Sequence, residues 1–309
     1  MRWFDKRYHT FDYEMKSTFG CKVTKLSLDG GFTCPNRDGS IAKRGCIFCS
    51  EMGSGEFAGS RAVSIAEQIK EQKKLLSSKW PDAKHIAYFQ NFTNTYGSLE
   101  QLERLYSEAL VEKDVIGLAI ATRPDCLPED VLDLLEKLSK TTYLWVELGL
   151  QTIHPQSAAF IRRGYDLKCF TNAVERLKKR NIRVVAHLIL GLPRENHCDM
   201  LESVRFVTGL GIWGVKYHLL HIIRGTDLCD YYLQNPFPLL TREEYIDLVS
   251  DAIELLTPEM VVHRVTGDGP KSQLVGPKWS LDKLRVLSGI DQELKKRDSF
   301  QGCKFQFGS

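Results

Sequence analysis

Short apolar runs alternate with longer amphipathic runs along most of the chain, which is typical of a protein built from strand–helix repeats. The apolar runs are nearly continuous rather than alternating, and this predicts parallel strands that are covered on both faces. They predict six strands, at residues 22–28, 85–90, 115–121, 143–150, 183–190 and 214–223. We therefore expect an α/β fold, a partial TIM-type (β/α)6 barrel with helices on its outer face.

The amphipathic runs predict the helices between these strands. Capping boxes at residues 98–101 and at Thr241 with Glu244 each open a helix, and the second of these helices is expected to end near Leu256. Pro128 predicts another helix start, because proline is favoured in a first helical turn. Further helices are predicted at residues 63–79, 167–180 and 198–209.

Basic residues are concentrated at the two ends of the chain. Residues 1–50 and 261–309 each hold nine Lys or Arg against five Asp or Glu, and the middle holds 24 against 29. A basic surface that joins both ends would attract a polyanion, although such charge runs are commonly only solvated surface. We expect a barrel with a basic lead-in over residues 1–257, and a basic C-terminal extension packed on it over residues 258–309.

Composition predicts a cytoplasmic protein without a membrane partner. The 309 residues are 43% hydrophobic, which is enough for a sizeable core. No apolar run approaches the roughly 20 residues that span a bilayer, and the start "MRWFDKRYHTFDYE" is too charged for a signal peptide. Nine cysteines is an odd number, and a reducing compartment would keep them as thiols, available to a metal or to chemistry.

Three of these cysteines lie in "CPNRDGSIAKRGCIFC", residues 34–49, directly after the first predicted strand. In parallel sheets the chemistry lies at the carboxyl ends of the strands, so this position favours a functional role. A structural zinc ion needs a fourth ligand, and no second Cys-x2-Cys occurs. Three thiolates on an iron–sulfur cube would instead leave one iron open to a substrate.

With its Cys-x11-Cys-x2-Cys spacing and "CIFC" ending, the sequence resembles the radical S-adenosylmethionine (SAM) enzymes. The resemblance implies that Cys34, Cys46 and Cys49 bind a 4Fe-4S cluster, whose free iron chelates the amino and carboxylate groups of SAM. Phe48 would lie beside the cluster. The first interval is longer than the superfamily's commonest spacing, which points to a different subfamily within the same class.

Two other strand ends support the same resemblance. "ELGLQT", followed by Arg163, is similar to a motif of the oxygen-independent coproporphyrinogen oxidases and the Elongator catalytic subunit. It implies that Gln151 contacts the SAM ribose and Arg163 the methionyl carboxylate; a solvated Gln and a surface Arg are the alternatives. "HLILGLP" resembles the adenine-contacting segment, with Ile189 against the base and Gly191 allowing close approach. His187 departs from the acidic ribose ligand of relatives.

The ends of the second and third strands carry weaker matches. "FQNFTNTYG" occupies the place of the segment that holds the SAM amino group, and Gln90, Thr93 or Asn94 could accept from the ammonium. "TRPD" resembles the Elongator subunit, where it lines the same cavity. This makes Arg123 and Asp125 candidates for contacts with substrate or SAM. The same residues also suit a turn and helix start.

Together with "KLSLDGGFTCPNRDG" and "RVTGDGPKSQLVGPKW", these motifs resemble the YhcC/YtqA family of radical SAM proteins, relatives of the Elongator subunit. The resemblance implies modification of the wobble uridine of tRNA. In the YtqA branch, called MnmL, the change is carboxymethylaminomethyl-uridine to aminomethyl-uridine.

Flavodoxin or ferredoxin is the electron donor expected for such an enzyme. Lys271 and Lys278, near Trp279, are candidates for phosphate and base contacts, unless this segment only packs on the barrel. Two alternatives remain: a radical SAM enzyme for another RNA or a small metabolite, and a non-catalytic, zinc-stabilised RNA-binding barrel.

Overall fold

The computed structural model describes residues 3–53, 58–267 and 269–305. Its main sheet is parallel and has seven strands in the order β1-β2-β3-β4-β5-β6-β8. A short antiparallel pair, β7 with β9, lies apart from it. The strands are β1 Val23–Leu28, β2 Lys84–Phe89, β3 Val115–Thr122, β4 Tyr143–Gln151, β5 Arg183–Leu190, β6 Gly214–Leu219, β7 Ile222–Ile223, β8 Val261–Arg264 and β9 Leu274–Gly276.

The predicted α/β partial barrel is confirmed, with two corrections to its strands. The expected sixth strand at 214–223 ends at Leu219, and Ile222–Ile223 pairs instead with Leu274–Gly276. A seventh strand, β8, joins the sheet beside β6. The apolar run could not show this break, because hydrophobicity continues where the chain leaves one sheet for another.

Helices cover the outer face of the sheet. Those that the sequence predicted are α2 Ile65–Ser77, α3 Leu99–Val111, α4 Glu129–Ser139, α6 Leu167–Lys179, α7 His197–Gly209 and α9 Arg242–Glu254. Pro128 is the residue before α4 rather than its first turn. The helices not predicted are α1 Phe11–Phe19, α5 Pro155–Phe160, α8 Asp227–Gln234 and α10 Lys283–Lys296. Among the described residues, no helix is both long and apolar enough to cross a bilayer.

The sheet curls so that its two edges face each other across an interior. Lys25 Nζ on β1 lies 3.3 Å from His263 Nδ1 on β8, although these are the two edge strands. Helix α1 packs inside this curve, with Met15 fully buried. Phe11 of α1 contacts the ring of Trp145, which projects from β4. Helix α1 therefore fills one end of the half-barrel interior.

The chain after α9 returns to the barrel. Strand β8 completes the main sheet, and β9 pairs with β7 near the carboxyl ends of the strands. Helix α10 packs on α9. The two ends of the chain also meet, since His9 N donates to Gln301 Oε1 at 2.8 Å. Residues that follow α9 thus contribute to the sheet, to its outer layer and to the border of the interior.

Candidate active site

The interior of the half-barrel contains a cavity of about 370 Å³. One part of its wall is the cysteine segment 34–49, which follows β1 at the carboxyl edge of the sheet. Another part is made by side chains inside the strands, including Glu147 of β4 and Lys216 of β6. The cavity therefore connects the cysteines to the charged interior of the barrel.

Two tight turns shape the cysteine segment. Arg37 N donates to the carbonyl oxygen of Cys34 at 2.7 Å, and Cys49 N donates to that of Cys46 at 3.0 Å. The guanidinium of Arg37 joins the turns by donating to the carbonyl oxygen of Cys49 at 3.0 Å. Gly45 has φ 73°, and a Cβ there would lie 2.9 Å from Arg37 Nε. The segment thus needs glycine at this position.

The segment is also fastened to the barrel. Asn36 is buried, and its Nδ2 donates to the carbonyl oxygen of Arg162 at 2.8 Å. The same amide nitrogen lies 3.5 Å from Cys46 Sγ. Ile47 N donates to the carbonyl oxygen of Ile161 at 3.1 Å. The cysteine segment is therefore held by hydrogen bonds to backbone carbonyl oxygens of the region after β4, where SAM contacts were predicted.

The donor set fits an iron–sulfur cluster. Cys34, Cys46 and Cys49 line one cavity, and three thiolates on a cube leave one iron open to a further ligand. A hydrogen bond with Cys49 and burial raise the pKa of Cys46 well above its usual value, so metal binding must displace its proton.

Five of the predicted SAM-contact residues line the same cavity as the cysteines: Phe48, Gln90, Thr93, Gln151 and Ile189. They come from the cysteine segment and from the carboxyl ends of β2, β4 and β5. Gln90 N donates to the carbonyl oxygen of Leu28 at 3.4 Å, which places Gln90 next to the end of β1. The structure thus brings these residues together, and their individual contacts with SAM stay predictions.

Gln151 has a backbone conformation that is rare for its residue type. Its φ is 63°, and the register between β4 and β5 shifts between Gly149 and Gln151. A Cβ at Gly149 would lie 2.4 Å from Gln151 Nε2, so glycine there leaves room for the amide side chain. Positive φ in a non-glycine residue is commonly found at functional sites. This strand end is therefore arranged around the Gln151 side chain.

Arg163 and Gly191 lie outside the cavity lining. Arg163 is buried, and its Nη1 donates to the carbonyl oxygens of Leu150 at 2.8 Å and Thr152 at 2.7 Å. It therefore fixes the residues on both sides of Gln151. Gly191 has φ 93°, and a Cβ there would meet the side chain of Leu240 at 3.3 Å. The predicted contacts of Arg163 and Gly191 with SAM stay predictions.

Arg123 and Asp125 pair with each other. Arg123 Nε and Nη2 donate to the two carboxylate oxygens of Asp125 at 2.9 and 2.7 Å. Arg123 Nη1 also donates to the carbonyl oxygen of Arg163 at 3.0 Å. Arg123 lines the cavity, whereas Asp125 lines a separate surface groove beside the cysteine segment. The turn expected for "RPD" is present, since Cys126 N donates to the carbonyl oxygen of Arg123 at 3.2 Å. A contact of Arg123 or Asp125 with substrate or SAM stays a prediction.

The sequence did not reveal a buried ionic cluster in the barrel interior. Its centre is Glu147, whose side chain is fully buried. Its carboxylate accepts hydrogen bonds of 2.7–3.0 Å from Lys25, Tyr88, Trp145, His187 and Lys216. The sequence did carry one signal for this cluster, namely a charged residue inside each of three apolar strands: Lys25, Glu147 and Lys216. Because buried charges require partners, these residues could have been expected to pair. His187 thus has a protein carboxylate as its partner.

The field inside the barrel is dominated by positive charge. Burial alone raises the pKa of Glu147, but Lys216 and Lys25 outweigh it and hold that pKa well below its usual value. Burial, opposed by Glu147, lowers the pKa of Lys216 to about 7. Burial and the charge of Lys216 lower the pKa of His187 to about 4. Glu147 is therefore ionised and His187 neutral at neutral pH.

The predicted RNA-contacting lysines lie on the surface after β8. Lys271 is exposed and follows Pro270, which lines the cavity. Lys278 is exposed at the start of the 3-10 helix Lys278–Leu281. Trp279, in contrast, packs on Tyr245 and donates its Nε1 to the carbonyl oxygen of Leu240 at 2.9 Å. Trp279 is therefore engaged in packing on the barrel, and a contact of this segment with RNA stays a prediction.

The lead-in cations form ion pairs with the chain's own carboxylates. Lys6 pairs with Asp291, and Arg7 pairs with Asp298 at 3.2 Å. These contacts lie where the two ends of the chain meet, so much of the local charge is balanced internally. Of the two basic ends, the segment around Lys271 is the better candidate for a polyanion contact because it borders the cavity.

Comparison with known proteins agrees with this geometry. Residues 38–207 match the Radical SAM superfamily, and residues 212–296 match the Radical_SAM C-terminal domain. The chain is 48% identical to Bacillus subtilis YtqA, covering 98% of this chain and 94% of that protein. It is 33% identical to Escherichia coli YhcC, covering 94% of this chain and 93% of that protein.

More distant matches point to Elongator-like proteins. A tRNA uridine(34) acetyltransferase of Methanocaldococcus jannaschii is 27% identical, over 58% of this chain and 32% of that protein. The solved structure of Elp3 from Methanocaldococcus infernus superposes with a TM-score of 0.69 at 18% identity. It covers 91% of this chain and 64% of that one, and at this identity it supports the fold.

The cofactors predicted from the cysteine motif are confirmed at the level of the superfamily, whose members bind a 4Fe-4S cluster and SAM. The cavity matches this requirement, because Cys34, Cys46 and Cys49 share it with residues from the carboxyl ends of β2, β3, β4 and β5. The zinc-stabilised, non-catalytic alternative is thereby set aside. The chain belongs to the radical SAM superfamily and, within it, to the family of YtqA and YhcC.

Proposed function

We propose that this radical SAM enzyme modifies the side chain of the tRNA wobble uridine, converting carboxymethylaminomethyl-uridine to aminomethyl-uridine. The observation that carries the proposal is the cavity that joins the three cysteines to a cationic barrel interior. It is supported by similarity to a tRNA uridine(34) acetyltransferase, although that match covers only 58% of this chain. A tRNA substrate also implies activity in the cytoplasm.

The chain's own residues would hold the cofactors and orient the substrate. Cys34, Cys46 and Cys49 would ligate the cluster, while Gln151 and Ile189 would contact the ribose and base of SAM. When bound, the cluster supplies the electron that cleaves SAM to methionine and a 5′-deoxyadenosyl radical, with flavodoxin or ferredoxin as the donor. Helix α1 closes one end of the interior and limits access of water to the reacting atoms.

The substrate chemistry balances with SAM as the two-electron oxidant. A hydrogen atom would pass from the glycyl methylene of the modified uridine to the 5′-deoxyadenosyl radical, which becomes 5′-deoxyadenosine. The resulting carbon radical would lose a proton to water and one electron, giving an imine, and that electron would replace the one supplied for SAM cleavage. Water then adds and the carbon–nitrogen bond breaks, which leaves the primary amine on the nucleoside and releases a two-carbon oxo acid. The wobble nucleotide lies in a single-stranded loop, so presenting its side chain at the cavity requires little unpairing.

Nucleoside analysis tests this function directly. We expect tRNA from cells that lack the protein to accumulate carboxymethylaminomethyl-uridine and to lose aminomethyl-uridine. Complementation with the wild-type gene should restore the product, and a Cys46→Ala gene should not. Identical nucleosides in all strains would contradict the wobble-uridine assignment and would favour another RNA or a small metabolite.

A further inference from the structure

The cavity floor places two lysines around one carboxylate. We define the floor as the barrel-interior side chains from β1, β4, β5, β6 and β8, namely Lys25, Glu147, His187, Lys216, His218, His263 and Arg264. All of these except Lys25 and His263 line the cavity. Lys216 shares the carboxylate of Glu147 with Lys25, on the opposite edge of the sheet. A second anion beside these lysines would be favourable, because buried ammonium groups require anionic partners.

The floor also retains unused hydrogen-bonding capacity. Lys216 Nζ donates to Tyr88 Oη at 2.7 Å and to Glu147 Oε2 at 2.9 Å. An ammonium has three donors, and the third finds no acceptor among the residues that the structure describes. His218 Nε2 is likewise buried without a hydrogen-bond partner in that part of the chain. Both residues line the cavity, so a bound group can use them.

Glu147 does not supply the missing acceptor. Its two oxygens already receive five hydrogen bonds from surrounding side chains. A carboxylate offers about four lone-pair sites, so this group is saturated. A ligand that enters the cavity can therefore supply an acceptor to Lys216. Burial and Glu147 set the pKa of Lys216 at about 7, so an arriving anion would also favour its charged form.

We propose that Lys216, His218 and Arg264 in this floor bind a carboxylate at the end of the substrate side chain. This rests on the proposed function, in which the substrate carries such a group and the product does not. A phosphate of the RNA backbone is joined to sugars on both sides and is poorly suited to the interior of a strand barrel. A carboxylate on a flexible side chain is terminal and can enter.

Such binding would also explain how the reacting carbon is placed. The carboxylate is attached to the methylene that loses hydrogen, so fixing the carboxylate on β6 and β8 fixes that carbon within the cavity shared with the cysteines. Positioning of this kind is a large part of catalysis, because it replaces a search in solution by a defined geometry. Lys216 and Arg264 would thus set specificity for an acidic side chain.

The test compares two anticodon stem-loops that differ in one group. One carries carboxymethylaminomethyl-uridine, and the other carries the corresponding primary carboxamide, which has a similar shape and no charge. Dissociation constants are measured with the cluster-loaded enzyme, SAM and no reductant. We expect the wild type to prefer the acid roughly tenfold, the size of a buried charge-assisted contact.

Lys216→Met should reduce the preference to about twofold or less by weakening acid binding. Lys113→Met, which changes an exposed lysine outside the cavity lining, should keep it. Lys216→Met also removes one of the two lysines that pair with Glu147, so it could disturb the barrel interior. Arg264→Gln therefore provides a second variant, which should likewise reduce the preference for the acid. SAM affinity is measured for every variant and should be unchanged.

The outcomes of this test distinguish failure of the carboxylate site from failure of the proposed tRNA function. If the wild type binds both stem-loops equally well, the carboxylate site is wrong and the tRNA function stands. Loss of SAM affinity in Lys216→Met, with the acid preference retained, would assign the floor to SAM and overturn the inference. If neither stem-loop binds to the wild type, the tRNA function itself fails.

Discussion

The two ends of the cavity differ in how the chain builds them. The mouth is a single segment, residues 34–49, in which backbone turns hold three thiols. The floor is assembled from side chains on β1, β4, β5, β6 and β8. It is held together by the ion pairs of Glu147 with Lys25 and Lys216 and by the hydrogen bond between His187 and Glu147. Thiols suit a soft metal cluster, whereas fixed charges suit a polar organic group. One cavity thereby separates the generation of reactivity from the selection of the substrate.

The largest expected effect concerns the mouth. Replacing Cys34, Cys46 or Cys49 by Ala should abolish the cluster, because each would leave the cube with only two protein ligands. Iron content and visible absorbance of anaerobically reconstituted protein measure this. Cys169→Ala, outside the cavity lining, should retain the cluster. A full cluster in any of the three variants would refute the ligand assignment.

Removing the carboxylate from the floor should mainly affect stability. Glu147→Ala leaves Lys25 and Lys216 buried without their partner, so we expect a loss of about 3 kcal/mol in the free energy of unfolding. Denaturant titration of the metal-free protein measures it. Pairing the change with Lys216→Met should recover part of the loss. A Glu147→Ala variant of wild-type stability would show that the floor is not an ionic unit.

Acid should destabilise the floor through His187. Its pKa is about 4, lowered by burial and by Lys216, while Glu147 opposes the shift and Lys25 adds to it. The unfolded chain therefore binds a proton between pH 6.5 and 4 that the folded chain does not. Stability should fall as pH decreases through this window, by on the order of 1 kcal/mol per pH unit. His187→Gln should flatten that slope; an identical profile in the variant would contradict the assignment.

A variant of Arg163 tests what holds the end of β4, which carries Gln151, in place. Arg163→Ala removes the donors that fix Leu150 and Thr152, so Gln151 should lose its position and SAM affinity should fall roughly tenfold. Equilibrium binding of SAM to the cluster-loaded protein measures this. Gln151→Ala should have a milder effect, since it removes one neutral contact. Wild-type affinity in Arg163→Ala would exclude both a direct and an indirect role.

The smallest effect is expected outside the cavity. Lys271→Ala and Lys278→Ala should each weaken tRNA binding about threefold and reduce its salt dependence, because each removes one cation from the surface. Lys113→Ala serves as the control. SAM cleavage without tRNA should persist, since neither lysine lines the cavity. Unchanged binding and salt dependence in both variants would leave this segment with a packing role alone.

Much of the fold was predictable because its signal is local. The first five strands were placed to within a residue at each end, and the capping box of Thr241 and Glu244 does open α9. Helix α1 was missed, although Thr10 caps it and Gly20 ends it with φ 69°. Strand β8 was missed because its four residues form too short a pattern.

The mouth of the cavity could be located from local sequence, because its three thiols lie within sixteen residues and chain connectivity keeps them close. The floor, in contrast, depends on how the sheet folds. Lys25 and His263 are 238 positions apart, and they meet because the sheet curls and brings its edge strands together. A lysine within an apolar strand has the same local sequence whether it is paired or exposed. Its partner depends on which strands the curled sheet places opposite each other.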